Sequence, residues 1–218
     1  MLTTPKVAVD VIIFTIGDKA LQVLLVQLKS PPYAGMWAFP GGSVPIGEST
    51  EAMATRGLFE TTGVKDVYLE QLYTFSNPMR DPHGHVVSVA YLALVNRTGM
   101  TLRIPGNCLD IGWFSVASPP PLAYDHADML AYALRRLRWK LEYTNIVYSL
   151  LPRDFTLTEL QRVYEIILGR PLDKRNFRKK MLGLGLLQAT PRVAKVGPHR
   201  PARLYRFRRR SPMIIEVL

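Results

Sequence analysis

The sequence predicts an α/β domain followed by a smaller domain of short helices and a β-hairpin. The first 140 residues alternate short runs of β-branched and apolar residues with helical patterns, which is typical of an α/β arrangement. Charge also separates the two parts, because residues 1–140 hold 12 Lys and Arg against 11 Asp and Glu, whereas residues 141–218 hold 16 against 6. The net charge of +11 therefore lies almost wholly in the last third, as expected for a polyanion-binding module beside a neutral domain.

Five segments of the first domain are predicted as strands, because they are short, apolar and rich in β-branched residues. A Gly17-Asp18 turn separates the first two, and residues 37–40 lead into the Gly41-Gly42 loop. A loop rich in Pro, Gly and charge, residues 76–85, separates the third and fourth. The predicted strands are residues 7–16, 21–27, 67–75, 86–95 and 111–116.

Two helices are predicted in the same domain. The first runs from Ser49, its N-cap, to residue 62, with Glu51 in the first turn and Gly63 at its C-terminal end. The second begins at Asp125, runs to about residue 142 and has apolar residues at the helical period. Those apolar residues are Met129, Leu130, Ala133, Leu134, Leu137 and Leu141.

Helical patterns dominate after Tyr143, and the predicted domains are residues 1–142 and 143–218. Thr156 and Glu159 form a capping box, in which the side chain of each hydrogen bonds the backbone of the other. Asp173 caps the helix that follows. In chain order the predicted elements are helices at residues 145–151, 157–168 and 174–183, then hairpin strands at residues 186–190 and 203–208 around a basic loop.

Composition excludes several classes of protein. Cys108 is the only cysteine, so an internal disulfide and a multi-cysteine zinc site are both impossible, and a reducing, cytoplasmic location is expected. Asp10 interrupts the early apolar stretch, so no secretory signal is predicted. No apolar run approaches the roughly 18 residues of a membrane span, and no membrane partner is expected.

Residues 42–64 read G-S-V-P-I-G-E-S-T-E-A-M-A-T-R-G-L-F-E-T-T-G-V. This segment resembles the Nudix box, a loop–helix–loop with the pattern G-x5-E-x7-R-E-U-x-E-E-x-G-U, where U is a bulky aliphatic residue. The resemblance implies a Nudix α/β/α sandwich with a mixed sheet. Two specified positions, Gly57 and Thr61, depart from the pattern. The matching positions are Gly42, Glu48, Arg56, Leu58, Glu60, Gly63 and Val64.

The two departures bear on catalysis. In Nudix hydrolases the glutamates of this helix hold Mg²⁺ or Mn²⁺ through oxygen ligands. Of the three helical positions, only Glu60 keeps a carboxylate here. We therefore expect no catalytic residue and no metal site, with Glu48 and Glu60 as weak candidates for metal binding. The alternative interpretation is that Arg56 and Glu60 only pin the helix to its loop.

The Nudix resemblance also implies a cleft that holds a nucleoside diphosphate linked to another group. Cations suit its phosphates, and an aromatic ring can stack on its base. The aromatic residues can instead be strand core, and the histidines can be surface residues of a loop. The candidates for binding this ligand are Lys29, Tyr73, Phe75, Arg80, His83 and His85.

Short helices followed by a hairpin form the outline of a winged helix-turn-helix, in which the later helix enters the major groove of DNA. That helix has an apolar face, Phe177 and Met181, and a cationic face. Arg175 and Asn176 are expected to read bases, and the wing cations to contact phosphates. The alternatives are a module that binds a protein or an acidic surface, and a solvated basic surface. The candidates for DNA contact are Lys174, Arg175, Asn176, Arg178, Lys179, Arg192, Lys195, Arg200 and Arg203.

The combination resembles the Nudix-related transcriptional regulators, and segments 69–75, 87–95 and 155–180 carry that resemblance. It implies a dimeric bacterial repressor that binds a palindromic operator and requires no cofactor. The best-known group controls NAD biosynthesis genes and is released from DNA by ADP-ribose, whereas other members respond to sugars. His83 and His85 stand in a loop where NAD-linked members are expected to carry arginine. This difference weakens the assignment of ADP-ribose as the effector.

Two other functions remain open at this point. The first is an active Nudix pyrophosphatase of ADP-ribose or a related nucleotide sugar, using Mg²⁺, with a basic appendage for RNA or another partner. The second is a Nudix-like scaffold that binds nucleic acid constitutively. Gly57 and Thr61 count against the pyrophosphatase.

Overall fold

The computed structural model describes residues 4–65, 67–194, 201–215 and 217. The chain divides into two compact units, Met1–Arg136 and Leu137–Leu218. The division falls inside helix α2 (His126–Tyr143), so this helix contributes residues to both units. The boundary after residue 142 stays a prediction. In the described part of the chain, no helix is long and apolar enough to cross a membrane.

The first unit contains a mixed β-sheet. Strands β1 and β6 run parallel, while β1 pairs antiparallel with β2 and β6 pairs antiparallel with β5. β3 pairs with β2, β4 pairs with β1 and β7 pairs with β2. The strands are β1 (Lys6–Gly17), β2 (Ala20–Leu28), β3 (Trp37–Ala38), β4 (Gly41–Ser43), β5 (Tyr68–Phe75), β6 (Val86–Leu94) and β7 (Cys108–Ser115).

Three details of the sheet differ from the prediction. The turn between β1 and β2 is centred on Asp18 and Lys19, which both have positive φ, as a tight two-residue hairpin requires. The short strands β3 and β4 occupy the predicted Trp-to-Gly loop, where Gly42 pairs with Val9. β7 begins at Cys108 because its pairing with β2 extends further than its apolar pattern.

Helix α1 (Thr50–Thr62) has the predicted caps. The Ser49 side chain accepts a hydrogen bond from the Ala52 backbone N–H, and Gly63 closes the helix with φ of 69°. Positive φ at this position favours glycine, which ends the helix with little strain. Ala54 and Leu58 are buried with the apolar residues of β1, so the core fixes which helix face points away from the sheet.

The second unit contains the predicted capped helices α3 (Leu157–Leu168) and α4 (Lys174–Gly183). Both sides of the Thr156–Glu159 capping box are formed, and the Asp173 side chain accepts from the Asn176 backbone N–H. The segment predicted as a first helix is a single 3-10 turn, Ile146–Ser149.

The predicted two-stranded hairpin is a three-stranded sheet among the described residues. The strands β9 (Leu187–Ala194) and β10 (Ala202–Phe207) are joined by β8 (Phe155–Thr156), which pairs with β10. Phe155 is fully buried and its ring lies 5.2 Å from that of Phe207, so the extra strand adds apolar packing to the wing. β9 is longer than predicted, because its ladder with β10 continues past Pro191.

Candidate functional site

The first unit contains a cavity of about 860 Å³, large enough for a nucleotide-sized ligand. We use the name floor for four of its buried lining residues, each at most 8% exposed. Four others, which we call the rim, are half-buried or exposed. The floor consists of Asp10, Phe39, Arg80 and His126. The rim consists of Lys6, Asp81, His83 and His85.

Asp10 lies at the centre of the floor. Its Oδ2 accepts a 2.6 Å hydrogen bond from Ser88 Oγ and lies 3.6 Å from Arg80 Nη2, and its Oδ1 lies 3.6 Å from His126 Nε2. Burial itself raises the pKa of Asp10, but His126, Ser88 and Arg80 together outweigh burial and hold the pKa below its usual value. The carboxylate is therefore charged at neutral pH.

His126 is the first residue of α2 and was not singled out from the sequence. Its Nδ1 accepts a 3.0 Å hydrogen bond from the Phe39 backbone N–H, so a ring proton on Nε2 faces Asp10. The imidazole also stacks on the Phe39 ring at 4.8 Å between centroids. These contacts attach the start of α2 to the floor.

Arg80 lines the cavity, as expected for a ligand-binding candidate, but it is not a free cation. Its guanidinium forms a bidentate pair with Asp125, with distances of 2.6 Å from Nη2 to Oδ1 and 3.0 Å from Nε to Oδ2. The Arg80 side chain is only 3% exposed, and a buried guanidinium requires a carboxylate partner. The guanidinium is thus engaged by carboxylates, and a contact between Arg80 and a ligand phosphate stays a prediction.

The other candidates divide between rim and surface. His83 and His85 line the cavity, and His83 Nδ1 lies 3.1 Å from Asp81 Oδ1. Lys29 is exposed and lines neither of the two cavities described in this unit.

Tyr73 and Phe75 likewise line neither cavity. Their rings pack with Tyr132 at centroid distances of 4.8 Å and 6.0 Å. Both rings therefore contact a tyrosine of α2, and stacking of either ring on a ligand's base stays a prediction.

A second cavity of about 300 Å³ lies beside the first and contains the face of α1 that carries the Nudix-box residues. Arg56, Gly57, Glu60 and Thr61 line it. Several residues, among them Phe39 and Gly41, line both cavities, so the two are adjacent. The shared lining residues are Leu28, Phe39, Gly41 and Asn107.

Arg56 engages both remaining carboxylates of the box. Its Nη2 and Nε lie 2.8 Å and 3.0 Å from the two oxygens of Glu48, and its Nη1 lies 3.4 Å from Glu60. The hydrogen bonds between Arg56 and Glu48 lower the pKa of Glu48 and raise the pKa of Arg56. Arg56 thereby ties α1 to the preceding loop.

The residues present do not fit the divalent cation of a Nudix hydrolase. Glu48 and Glu60 are paired with Arg56, and the buried Thr61 hydroxyl donates to the carbonyls of Gly57 and Leu58. A Cβ at position 57 would meet no atom within 4 Å. Packing therefore does not require glycine at this position, where the Nudix box has a metal-binding glutamate. Within residues 4–65, 67–194, 201–215 and 217, no group of three acidic, His or Cys side chains suits a metal ion.

Helix α4 presents the two faces expected of a DNA-reading helix. Phe177 and Met181 are buried, and the Phe177 ring lies 5.3 Å from that of Tyr164 on α3. The polar residues of its first turn and Lys179 are exposed. The first-turn residues are Lys174, Arg175 and Asn176.

Arg178 differs from its neighbours on α4. The Arg178 residue is half-buried, and its Nη2 donates a 3.0 Å hydrogen bond to Thr158 Oγ1 on α3. The structure thus places this arginine between the two helices, because position 178 of α4 faces α3. Arg178 is less free to reach a base than the sequence pattern implied.

The wing cations have different environments. Arg192 lies on β9 and not in the predicted loop, and its Nη1 is 3.3 Å from Asp154 Oδ2. Arg206 contacts the other oxygen of Asp154 at 2.9 Å. Arg203 is exposed on β10. The candidates Lys195 and Arg200 lie outside the described residues.

Sequence reasoning missed Asp10, Asp125 and His126 as site residues, and Asp154 as a wing residue. Asp10 carried a usable signal, since a single carboxylate within a β-branched strand is rarely buried without a purpose. The pairing of Asp125 with Arg80 carried none, because the two residues are 45 positions apart.

Comparison with known proteins matches both units. A Nudix domain model matches residues 4–133, and a model of the NrtR DNA-binding winged helix domain matches residues 147–207. The ADPR responsive transcriptional repressor NtrR of Acinetobacter baylyi is 41% identical over 208 residues, which are 94% of this chain and 82% of that protein. An ADP-ribose pyrophosphatase of Methanocaldococcus jannaschii is 35% identical over 62% of this chain and 75% of its own.

Solved structures agree with these matches. Shewanella oneidensis NrtR complexed with a 27mer DNA has a TM-score of 0.82 and 35% identity, covering 93% of each chain. The Nudix domain of the same NrtR complexed with ADP ribose has a TM-score of 0.56 and 36% identity, covering 62% of this chain and 90% of that one. These likenesses confirm the predicted fold class, a Nudix fold with a mixed sheet followed by a winged helix. The chain belongs to the family of Nudix-related transcriptional regulators that carry the NrtR winged helix domain.

Proposed function

We propose that the protein is a transcriptional repressor whose Nudix unit binds ADP-ribose or a closely related metabolite and thereby releases the winged helix from DNA. The observation that carries this proposal is a nucleotide-sized cavity beside a Nudix box whose two carboxylates are paired with Arg56. Such a site can bind a ligand but is poorly equipped to hydrolyse it. The exposed cationic first turn of α4 supplies the DNA-reading surface.

Three parts of the proposal concern the wider system. We propose that the protein acts as a homodimer on a palindromic operator, since paired half-sites match two-fold protein symmetry. We further propose that it represses NAD-related genes in the cytoplasm. The A. baylyi relative, named as an ADPR responsive transcriptional repressor, supports the choice of effector.

Helix α2 is the proposed route of communication. It begins at His126 in the floor of the cavity and contributes its later residues to the second unit. A shift of the floor on ligand binding would therefore move a helix that the DNA-binding unit shares.

The test is a reciprocal titration. Operator DNA is titrated with and without ADP-ribose, and ADP-ribose with and without operator, with ADP as the control nucleotide. We expect each ligand to weaken the other by the same factor, between about 5- and 150-fold, because coupling free energy is shared by both binding events. If the affinities are equal in both comparisons, ADP-ribose is not the effector, and a sugar becomes the better candidate.

The alternative function is an active pyrophosphatase, which the M. jannaschii relative's name makes worth testing. We expect no appreciable ADP-ribose hydrolysis with Mg²⁺ or Mn²⁺ when product release is measured beside that relative as the positive control. The double variant Gly57→Glu, Thr61→Glu should gain metal binding but little turnover, because Arg56 still holds Glu48 and Glu60. Hydrolysis by the unmodified chain at a rate comparable to the control would favour the pyrophosphatase.

A further inference from the structure

We propose that the floor of the large cavity selects a ribose: Asp10 accepts a hydrogen bond from a ribose hydroxyl of the effector, while the effector's phosphates stay at the rim. The assignment rests on the proposed function, because it orients the same ligand in the same cavity. It makes Asp10 a specificity-determining residue.

Asp10 has an acceptor to offer. The Ser88 hydroxyl donates to Oδ2, and His126 Nε2 faces Oδ1 at 3.6 Å. Each carboxylate oxygen can accept two hydrogen bonds, so acceptor capacity remains for a ligand. The side chain keeps 11% of its surface accessible, and it lines the cavity. A carboxylate that serves only as a structural partner of Arg80 or His126 needs no such access.

The strands beside Asp10 carry small residues. Residues paired directly across a sheet point to the same face, and the direct partners of Asp10 are Gly41 on β4 and Ala90 on β6. A Cβ at position 41 would clash with the Val9 carbonyl oxygen and would lie 2.7 Å from Asp10 Oδ1, so only glycine fits at this position. The sheet is therefore built with small neighbours around this oxygen.

Charge keeps phosphates away from the floor. Arg80 is the arginine of the floor, and it is shared between the carboxylates of Asp125, at 2.6 Å, and Asp10, at 3.6 Å. An anion approaching Asp10 would meet an excess of carboxylate. At the rim, the Asp81 carboxylate is engaged by His83 Nδ1 at 3.1 Å, and the exposed Lys6 and His85 suit phosphate oxygens.

The aromatic rings in and beside the floor favour a sugar over a base. One face of Phe39 is covered by the His126 imidazole, which is nearly parallel to it at 20°. Tyr124 is tilted against His126 and against Tyr33. These described rings pack on one another and do not form a parallel pair that would sandwich a base.

The test compares Asp10→Asn with the matched control Asp18→Asn, whose carboxylate is 77% exposed and lines neither cavity. Calorimetry of the full chain uses ADP-ribose, inorganic pyrophosphate, and a series of ADP-ribose analogues, each lacking a single ribose hydroxyl. Asp10→Asn should weaken ADP-ribose binding by about 10- to 100-fold and leave pyrophosphate binding equal or tighter. Asp18→Asn should change neither.

The analogues provide a readout that a structural role of Asp10 would not move. One of them should bind the unmodified chain about as weakly as ADP-ribose binds Asp10→Asn. Removing both the ribose hydroxyl and the Asp10 carboxylate should weaken binding little further. This comparison on the unmodified chain decides the matter even if Asp10→Asn folds poorly.

Three results would overturn parts of this picture in distinguishable ways. If the unmodified chain binds every one of these analogues as tightly as ADP-ribose, the assignment of the floor is wrong and the proposed function stands. Equal weakening of ADP-ribose and pyrophosphate by Asp10→Asn would mean that Asp10 only maintains the cavity. If the unmodified chain binds no ADP-ribose, the proposed function fails and the assignment fails with it.

Discussion

Replacing Arg80 with alanine is expected to destabilise the protein by about 3–5 kcal/mol, the cost of leaving one member of a buried ion pair without its partner. Asp125 would lose two charge-assisted hydrogen bonds, and Asp10 would lose its only nearby guanidinium among the described residues. Urea denaturation of the full chain, followed by circular dichroism, measures the change.

Arg97→Ala is the matched control for Arg80→Ala. Arg97 also pairs with a carboxylate, that of Asp18, at 3.1 Å, but the Asp18 side chain is 77% exposed. Exposed pairs contribute about 0–1 kcal/mol, so this variant should unfold nearly as the unmodified chain does. Equal losses in the two variants would show that burial of the Arg80 pair has no energetic consequence.

Alanine at Arg175 or Asn176 should weaken binding to the specific operator by about 1–3 kcal/mol each, if each makes a bidentate base contact. Both residues are exposed in the first turn of α4, the part of a recognition helix that reaches base edges. Their binding to unrelated duplex DNA should fall much less, so the ratio of specific to non-specific affinity should drop. Fluorescence anisotropy with both duplexes measures this ratio.

Lys180→Ala separates base reading from general attraction to DNA. Lys180 is exposed on the same helix but lies in its last turn. Its loss should affect both duplexes alike and leave the affinity ratio unchanged. If Lys180→Ala lowers the ratio of specific to non-specific affinity and Arg175→Ala does not, the C-terminal end of α4 enters the DNA groove instead of its first turn.

Much of the fold follows from local sequence signals. Ser49, Gly63, Thr156 and Asp173 act where they stand, by capping the nearest backbone groups, so their helices could be placed without knowing the tertiary structure. β8 could not be found in this way. Phe155 is two residues before a helix and becomes a strand only because β10 supplies its hydrogen bonds.

The candidate site was harder to predict for the same reason. The sequence indicates that His83 and His85 lie in a charged loop, and both do line the cavity. It does not indicate that Arg80, from that same loop, is buried against Asp125. The residues that matter most on the floor come from β1, the loop before β6 and the start of α2, so only the folded chain brings them together.

Asp154 reduces the number of counterions that are released when the wing binds DNA. Each cation that neutralises a phosphate frees condensed counterions, and log K falls by about 0.9 per log unit of salt for each such contact. Arg192 and Arg206 share one carboxylate, so the pair together with Asp154 carries one net positive charge, not two. The salt dependence of DNA binding should therefore be shallower than the number of wing arginines implies, and Asp154 acts as a built-in competitor of the DNA backbone.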